Sequence, residues 1–395
     1  MIFYSNERWK ILLGAIIKVI EKETDGVSFN SHKYCNDNSA LSTIEYDDLK
    51  EVVWKNYGEI EQHKNPVNLK QRADYLSNEK KSIFTYFLDG SRHTYKVDDI
   101  SYNKDVYPIM AGQIGIGCCK RINKEISPEQ YTRKLVIVLP DIAYRDGWGA
   151  DNFFADVLNK INSNDKMKNY FGAQFDVILT YKRDKDDKLE KKGIAVIQDY
   201  MAELEKIAVS DLVSKSKLDQ NNYLIKDGSL EYKVVANNNL NLKNRRVANF
   251  YKYVIGVSKS FNPTNCLIKG GGTNSDIIAN LKPFERTPVS MYQSKISGGN
   301  VYFAIWYLRL RDSKYTQNVF DGVVKVEKLV IGEEEQEKGL DSEMVDHISA
   351  CLLNERNPVC YGSDTRWANH IYPIYLTESY IKSKYLSNNF FLQLF

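Results

Sequence analysis

The alternation of apolar and polar residues predicts helices near the start of the chain. Over residues 7–23 apolar side chains recur at helical spacing, and a second stretch with this spacing covers about residues 46–62. A polar segment rich in Ser and Asn separates the two stretches. We therefore expect an N-terminal helical region over residues 1–80, with a role in contacting a partner or a second copy of the chain.

Beyond residue 80 the pattern becomes that of strands, with runs of aromatic and β-branched residues. Strands are predicted at residues 82–88, 107–116, 134–139, 175–181, 223–225, 250–259, 301–311 and 322–327. Helices are predicted at about 152–162 and 194–218 and after Pro373, and an acidic turn is predicted at 333–335. Strands followed by alternating helices and strands predict an α/β (α+β) domain with a mixed sheet over residues 81–395, with an insertion at about 143–192.

Composition and charge narrow the class of protein. The 395 residues are 43% hydrophobic and 27% charged, which is enough for a packed core, and the net charge of +3 creates no overall basic field for nucleic acid. The six cysteines follow no zinc or disulfide spacing, so we expect reduced thiols. The apolar run at residues 11–20 is shorter than the ~18 residues of a membrane span and has no cleavage site. A cytoplasmic protein is expected.

Two aspartates occur in matching surroundings and are the strongest chemical signal. Asp89 and Asp227 each follow an apolar predicted strand, and each precedes Gly-Ser. For one such site alone, a hairpin turn is the more common explanation of Asp-Gly. The repetition favours a second explanation, in which adjacent strands bring two carboxylates to one point as hard oxygen ligands for Mg²⁺ or Mn²⁺. Metal sites of this kind hydrolyse phosphodiesters, and they need further acids.

Helical geometry selects the further acids. In the predicted helix around residue 205, Glu205 shares a face with apolar residues, whereas Glu203 points to the opposite side. Glu378 lies on the apolar face of the final helix. A buried glutamate on such a face seeks a metal or a charged partner, although a solvated residue beside the apolar stripe is an equally frequent explanation. Asp141 is a rival acid, whose proline neighbour indicates the entry of a loop.

Basic side chains in strands are candidates for phosphate contacts. Lys259 ends an apolar strand, where its ammonium would meet a phosphate, and a surface lysine with a buried stem is an equally good explanation. Arg309 and Arg311 alternate with leucines, so both guanidinium groups are expected on one strand face, open to a DNA backbone or to solvent. The glycines at 270–272 lack the lysine and serine of a nucleotide-binding loop.

In their order along the chain, these segments resemble the NurA family of nucleases. The resemblance covers residues from about 83 to the C-terminus, and the order of the motifs is more specific than any one of them. It is carried by Phe87-Leu88-Asp89-Gly90-Ser91, the strand at 107–117, the helix at 200–205, Asp227-Gly228-Ser229-Leu230, Val254-Ile255-Gly256-Val257-Ser258-Lys259 and Tyr372-Pro373-Ile374-Tyr375-Leu376.

The resemblance implies an RNase H-like fold and a manganese-dependent nuclease that acts on DNA ends or single strands. It also implies a homodimer and a HerA-type hexameric ATPase as partner, in DNA end processing or anti-phage defence. On the matching positions, Asp89 and Asp227 are metal ligands, Glu205 is the third acid and Lys259 contacts the DNA phosphate. The family tends to carry a histidine or aspartate on the final helix, where this chain has Glu378, with His370 as a second choice.

Two other classes of function stay open. In the first, the RNase H-like core is catalytically inactive and serves as an assembly or DNA-binding subunit of an ATPase complex. In the second, the chain is a nuclease-like domain of the Argonaute PIWI type, which the lack of recognisable guide-binding domains in 395 residues disfavours. Metal-dependent DNA cleavage is the property that separates an enzyme from an inactive subunit.

Overall fold

The structure is a computed structural model, and its described residues are 14–36, 52–55, 58–145, 149–164, 167, 174–183, 188–231, 249–262, 274–294, 301–316, 318–356 and 367–395. Across these ranges, no helix has both the length and the apolar character needed to cross a membrane. The first residues of the predicted helix at 7–23 and the glycines at 270–272 lie outside the described ranges.

One mixed sheet organises the described part of the chain. Its strands are β1 (Val27–Ser28), β2 (Tyr34–Cys35), β3 (Val52–Lys55), β4 (Val67–Asn68), β5 (Phe84–Tyr102), β6 (Asp105–Ile122), β7 (Glu125–Pro140), β8 (Val177–Tyr181), β9 (Tyr223–Asp227), β10 (Val254–Ser258), β11 (Glu285–Arg286), β12 (Ser290–Ser294), β13 (Val301–Arg309) and β14 (Val323–Val330). The order across the sheet is β3-β12-β13-β14-β10-β9-β5-β6-β7-β8, and the short strands β1, β2, β4 and β11 pair at its sides.

Five of these strands carry the candidate site. β5, β6 and β7 form a long antiparallel meander, with β6 in the middle. On the other side of β5 lies β9, parallel to it, and β10 lies parallel to β9. Numbered along the chain, the five strands have the spatial order 3-2-1-4-5, with the second antiparallel to the rest. This is the strand arrangement of an RNase H-like sheet, so the predicted mixed α/β fold is confirmed.

Helices cover both faces of this sheet. They are α1 (Ala15–Thr24), α2 (Lys70–Asn78), α3 (Ala150–Ser163), α4 (Leu189–Ser214), α5 (Ser275–Ala279), α6 (Glu333–Lys338), α7 (Ser342–Asn354), α8 (Tyr372–Lys382) and α9 (Asn388–Gln393). Arg92 of β5 donates a hydrogen bond to Gln198 of α4 at 2.6 Å, whereas the ring of Tyr95 stacks on Phe391 of α9 with centroids 4.4 Å apart. Even-numbered residues of this part of β5 therefore point to α4 and odd-numbered residues point to α8 and α9, because side chains alternate along a strand. We name these sides the α4 face and the α8 face.

The buried apolar residues form two hydrophobic clusters. Leu88 belongs to the same cluster as Ile197 and Val209 of α4. Phe87, the preceding residue, belongs to the other cluster, with Val257 and Trp306. Strands with apolar residues at consecutive positions are expected when both faces of a sheet are covered. The central strands are buried on both sides for this reason, and polar groups within them need partners.

Several predicted elements differ from the structure. In the predicted helix at 46–62, the described segment Val52–Lys55 is a strand paired with β12, so this helix is wrong there. Its consecutive β-branched residues favour a strand once a partner strand is present. The acidic run at 333–335 begins α6 instead of forming a turn. The predicted insertion at about 143–192 contains α3 and β8, and β8 extends the sheet beside β7. The division of the chain at residue 80 stays a prediction.

Strand β5 also continues well past the point where its end was predicted. It runs through Asp89 and Gly90 to Tyr102, paired with β6 from Tyr86 onward except for one irregularity between Lys96 and Asp98. The hairpin-turn explanation of Asp89-Gly90 is therefore wrong, because the ladder with β6 overrides the local preference of this dipeptide for a turn. Asp89 consequently lies in the interior of the sheet.

Candidate active site

Asp89 and Asp227 lie side by side on neighbouring strands. Leu88 of β5 is in register with Lys226 of the parallel strand β9, and the next residue on each strand is an aspartate. Side chains in register on adjacent strands point to the same side of the sheet, which here is the α8 face. Asp89 is only 4% exposed, whereas the side chain of Asp227, at the end of β9, is 25% exposed. Two strands thus deliver a buried and a half-buried carboxylate to one place.

Strand β10 and helix α8 contribute Lys259 and Glu378 to the same place. The register of β9 with β10 puts Lys259 just past the end of β10, next to Asp227. Lys259 Nζ lies 3.1 Å from Asp227 Oδ2 and 3.8 Å from Glu378 Oε2. Glu378 Oε1 also pairs with Lys382, one helical turn further along, at 2.7 Å. We name the group Asp89, Asp227, Lys259 and Glu378 the carboxylate site.

Close packing of α8 on β6 determines where Glu378 lies. Gly115 and Gly117 of β6 are in register with Ser91 and Asp89, so they face α8. A Cβ atom at either glycine would lie within 2.4 to 2.6 Å of Ile381 in α8. The helix therefore rests directly on the β6 backbone. This close approach brings Glu378 down to the level of the strand carboxylates.

The backbone around Lys259 is held by one buried amide. Asn369 Nδ2 donates to the carbonyl oxygen of Lys259 at 2.6 Å and to that of Val323 at 2.9 Å. Its Oδ1 accepts from the amide of Gly322 at 2.6 Å. Asn369 thus links the segment after β10 to the start of β14, and it limits the movement of Lys259.

Burial and mutual charge effects together shape the electrostatics of the carboxylate site. Burial and the negative charge of Asp227 raise the pKa of Asp89 well above its ordinary value, although Lys259 opposes this change. Burial by itself would lower the pKa of Lys259, but the carboxylates around it outweigh burial and hold that pKa above its ordinary value. Lys259 and Lys382 likewise hold the pKa of Glu378 below its ordinary value, against the effect of burial. Burial and the neighbouring carboxylates thus both disfavour the charged form of Asp89, and a bound cation would stabilise that form.

Glu205 approaches β5 from the opposite face. It is 6% exposed, and its Oε2 lies 2.6 Å from Nζ of Lys226, which is 8% exposed. Burial alone would lower the pKa of Lys226, but the charge of Glu205 outweighs it and raises that pKa. The structure thus brings Asp89, Asp227, Lys259 and Glu378 together, and it places Glu205 across the backbone of β5 from them.

The donor set suits a hard divalent cation. Asp89, Asp227 and Glu378 supply carboxylate oxygens, which Mg²⁺ and Mn²⁺ prefer. Among the described residues, however, no three His, Cys, Asp or Glu side chains already converge as a metal-binding group. The ammonium group of Lys259 lies between Asp227 and Glu378 instead. A cation at this site would therefore require the carboxylates to turn toward a common point.

Neither predicted arginine lies on an open strand face. Arg309 is 0% exposed, and its guanidinium donates to the carbonyl oxygens of Val319 at 2.6 Å and Ala279 at 3.2 Å, among others. Burial lowers its pKa. Arg311 lies beyond the end of β13, with its guanidinium carbon 4.9 Å from the ring centre of Trp367. The expectation of a solvated pair on one strand face is corrected for Arg309, because its donors serve backbone carbonyls.

The alternative candidates lie around the site or away from it. His370 is 5% exposed, its ring stacks on Tyr375 at 5.9 Å, and its charge is among those that lower the pKa of Glu378. Asp141 lies exposed in a short turn at the end of β7. Glu203 pairs with Lys206 on the same helix as Glu205. Of these three, His370 is therefore the one with an electrostatic link to the carboxylate site.

Lys226 is the residue of this region that sequence reasoning missed. It directly precedes Asp227 and is buried, whereas a lysine in a strand usually points to solvent from the exposed face. A possible signal was its place in the apolar strand Tyr223-Leu224-Ile225-Lys226-Asp227, which is central in the sheet. A charged residue at a two-sided buried strand position needs a charged partner.

Fold and site together define the class of this protein. It is a mixed α/β protein with an RNase H-like sheet and a largely buried acidic site on the α8 face of its central strands. No protein-family model and no curated protein matches the chain. Among solved structures it is similar to the crystal structure of the NurA nuclease from Sulfolobus solfataricus, at 11% sequence identity and a TM-score of 0.40, over 85% of this chain and 83% of that chain. The function proposed below rests on the residues of the site.

Proposed function

We propose that this protein is a divalent-metal-dependent deoxyribonuclease that cleaves phosphodiester bonds at DNA ends or in single strands. The observation that carries the proposal is the adjacent pair Asp89 and Asp227, in which burial and then the charge of Asp227 raise the pKa of Asp89. Carboxylates held this close in a buried site are a costly arrangement unless a cation binds between them. Phosphodiester hydrolysis is the chemistry that such cation sites commonly perform.

The proposed roles follow from position and charge. Asp89, Asp227 and Glu378 hold Mn²⁺, which we favour, or Mg²⁺, and Glu205 is the further acid expected from the sequence. When bound, the metal would activate a water and stabilise the leaving oxygen. Lys259 binds and orients the phosphate through its ammonium group, which adjoins both Asp227 and Glu378. His370, whose charge is among those that lower the pKa of Glu378, is the second candidate for the role of Glu378.

The wider setting of the proposed nuclease comes from its sequence resemblance. We propose a homodimer that works with a HerA-type hexameric ATPase in DNA end processing or anti-phage defence, in the cytoplasm. The rival function is an inactive assembly or DNA-binding subunit of such a complex. The lack of a preformed group of three metal-binding side chains among the described residues is the observation that favours the rival.

Cleavage of labelled linear DNA tests the proposal. Single- and double-stranded substrates are incubated with purified protein in Mn²⁺, Mg²⁺ or EDTA. We expect cleavage in Mn²⁺ that EDTA abolishes and that Asp89→Asn and Asp227→Asn reduce by about 100-fold or more, because each removes a charge at nearly constant shape. Asp141→Asn is the matched control and should cleave normally, since Asp141 is exposed at the end of β7.

The outcomes separate the two functions. Full cleavage by Asp89→Asn or Asp227→Asn contradicts the assignment of the site. A folded wild-type protein that cleaves nothing in any metal, with or without a HerA-type ATPase, points to the inactive subunit. Cleavage that appears only when the ATPase is added supports both the nuclease and its proposed partner.

A further inference from the structure

The carboxylate of Glu205 occupies a position set by the backbone of β5. A Cβ atom built on Gly90 would lie 2.2 Å from Glu205 Oε1, so the glutamate rests on the strand where a side chain would otherwise project. Gly90 follows Asp89 in an unbroken stretch of strand, and its Cβ direction is opposite to that of Asp89. Glu205 is therefore on the α4 face, opposite to the side chain of Asp89, although its charge is among those that raise the pKa of Asp89.

All three donors of the Lys226 ammonium have acceptors. Lys226 Nζ lies 2.6 Å from Glu205 Oε2, 3.1 Å from the carbonyl oxygen of Asp227 and 3.2 Å from that of Ser229. A lysine ammonium has three protons to donate, so none is left for a phosphate. The last two contacts are to the backbone on either side of Gly228. Lys226 thus connects Glu205 to the turn that carries Asp227.

A second buried charge holds the same turn from β14. Glu327, which is 0% exposed, accepts hydrogen bonds through Oε2 from the hydroxyl of Ser229 at 2.8 Å and from the amide of Leu230 at 2.7 Å. Its other oxygen lies 2.7 Å from Nζ of Lys325. Gly228 has φ of +81°, a conformation that suits glycine and lets the carbonyl groups on both sides of it point toward Lys226. The turn after Asp227 is therefore held by charges on the α4 face.

We propose that Glu205 and Lys226 form a positioning pair, which acts through the backbone of residues 227–229 to direct the carboxylate of Asp227, and that Glu205 does not itself ligate the metal. This inference rests on the proposed nuclease function and revises one of its roles. Both partners are buried, so removing either one leaves an uncompensated charge that strains the turn. Removing both leaves no such charge. Substitution of both residues therefore separates the two cases. The loss of a positioning pair leaves no unpaired charge, whereas the loss of a metal ligand still removes a contact to the metal.

Mn²⁺ binding to the full-length protein, measured by calorimetry and by electron paramagnetic resonance, gives the first test. Lys226→Met and Glu205→Gln should each weaken Mn²⁺ binding by about 10- to 100-fold, as substitutions behind a metal ligand do. The double variant Glu205→Gln/Lys226→Met should bind Mn²⁺ at least as tightly as the single variant with the lower Mn²⁺ affinity. The number of ions bound should not change. Glu203→Gln, on the same helix but paired with Lys206, is the control and should bind normally.

The opposite results overturn the inference. If Glu205→Gln lowers the number of Mn²⁺ ions bound, or if the losses of the two single variants multiply in the double variant, Glu205 is a ligand. If the single variants do not fold, the double variant decides alone, because retained Mn²⁺ binding supports the positioning pair and lost binding overturns it. A wild-type protein that binds no Mn²⁺ refutes the proposed function instead.

Hydrogen exchange gives a second readout that needs no metal. The amide of Gly228 donates to the carbonyl oxygen of Val257 at 2.9 Å, and that of Leu230 donates to Glu327. In Lys226→Met and Glu205→Gln, peptides that contain residues 227–231 should exchange faster than in the wild type, while peptides from β6 keep their protection. Unchanged exchange at 227–231 in both variants would refute the positioning pair, whatever the metal result.

Discussion

At the scale of single residues, the carboxylate of Asp89 is the most perturbed group of the site. It lies within a central strand, is almost fully buried and faces Asp227. Its charged form is disfavoured first by burial and then by its neighbour, and Lys259 compensates only in part. Such a group reduces the stability of the folded protein at neutral pH and is retained where it serves a function.

The pH dependence of stability follows from this shift. Because the pKa of Asp89 is higher in the folded protein than its ordinary value of 3.8, the folded state keeps the proton to higher pH than the unfolded chain does. The contribution of Asp89 to the free energy of unfolding is therefore favourable at low pH and is lost as pH rises through the folded-state pKa. In metal-free buffer at pH 8, Asp89→Asn should raise Tm by about 2–4 °C.

Thermal unfolding at two pH values checks this prediction. The difference between Asp89→Asn and wild type should narrow at about pH 3, below the ordinary pKa of 3.8, where the wild-type carboxyl group is mostly protonated in both the folded and the unfolded state. A variant that is less stable than wild type at pH 8, or a difference that stays constant with pH, would contradict the raised pKa of Asp89 in the folded protein.

At the scale of elements, the contact between α8 and β6 brings Glu378 to the strands. Gly115 and Gly117 leave room for Ile381 against the strand backbone, and Thr377, on the same helix, is fully buried. A helix rests this close to a sheet only where side chains are missing from the sheet. The position of Glu378 thus depends on two residues of β6 that carry no functional group.

Substitution of Gly117 by alanine should separate the two elements. The new Cβ would lie 2.6 Å from Ile381 Cγ1, so the helix must shift, and the free energy of unfolding should fall by about 1–3 kcal/mol in urea titrations. The same change should cost less in an Ile381→Ala background, where the clash is absent. Gly332→Ala is the control, since its nearest atoms would be 3.9 Å away. Equal costs in both backgrounds would refute the proposed close contact.

At the scale of the whole molecule, charged side chains inside the fold connect segments that are distant in sequence. Arg309 of β13 binds carbonyl groups of α5 and of the segment before β14. Arg286 forms a two-pronged contact with Glu59 at 3.1 and 2.8 Å, and both are 0–1% exposed. These contacts connect β11 and β13, which lie beyond β10 in the sheet, to α5, to the segment before β14 and to Glu59. We expect them to contribute to stability, because their donors serve buried groups of the fold.

Replacement of Arg309 by methionine tests this assignment. Loss of several hydrogen bonds from a charged donor should lower the free energy of unfolding by about 2–4 kcal/mol, because the carbonyl groups lose their partner. The dependence of DNA binding on salt, followed by fluorescence anisotropy, should remain that of the wild type, since no phosphate contact is removed. An unchanged stability with a salt slope reduced by about one unit would show that Arg309 contacts DNA.

The local sequence pattern predicted much of the fold, but it did not predict where each residue lies within its strand. The strands at 175–181, 301–311 and 322–327 were predicted close to their observed bounds from their runs of β-branched and aromatic residues, whereas the strand predicted at 134–139 is only the end of the longer β7, Glu125–Pro140. The length of β5 was missed at Asp89-Gly90, where the dipeptide prefers a turn and only the ladder with β6 keeps it extended. The strand at Val52–Lys55 was missed because its partner, β12, lies far along the chain.

The sequence by itself determined most of the longer strands, the alternation of helix and strand, and the identity of the acids in two Asp-Gly-Ser motifs, because these depend on residues close together in the chain. Only the tertiary structure decided which face each acid occupies. Asp89 and Gly90 are adjacent, yet one faces Asp227 and the other faces Glu205. It also decided that Arg309 is internal and that Lys226 is paired. Burial and pairing depend on strand neighbours, and no local pattern encodes them.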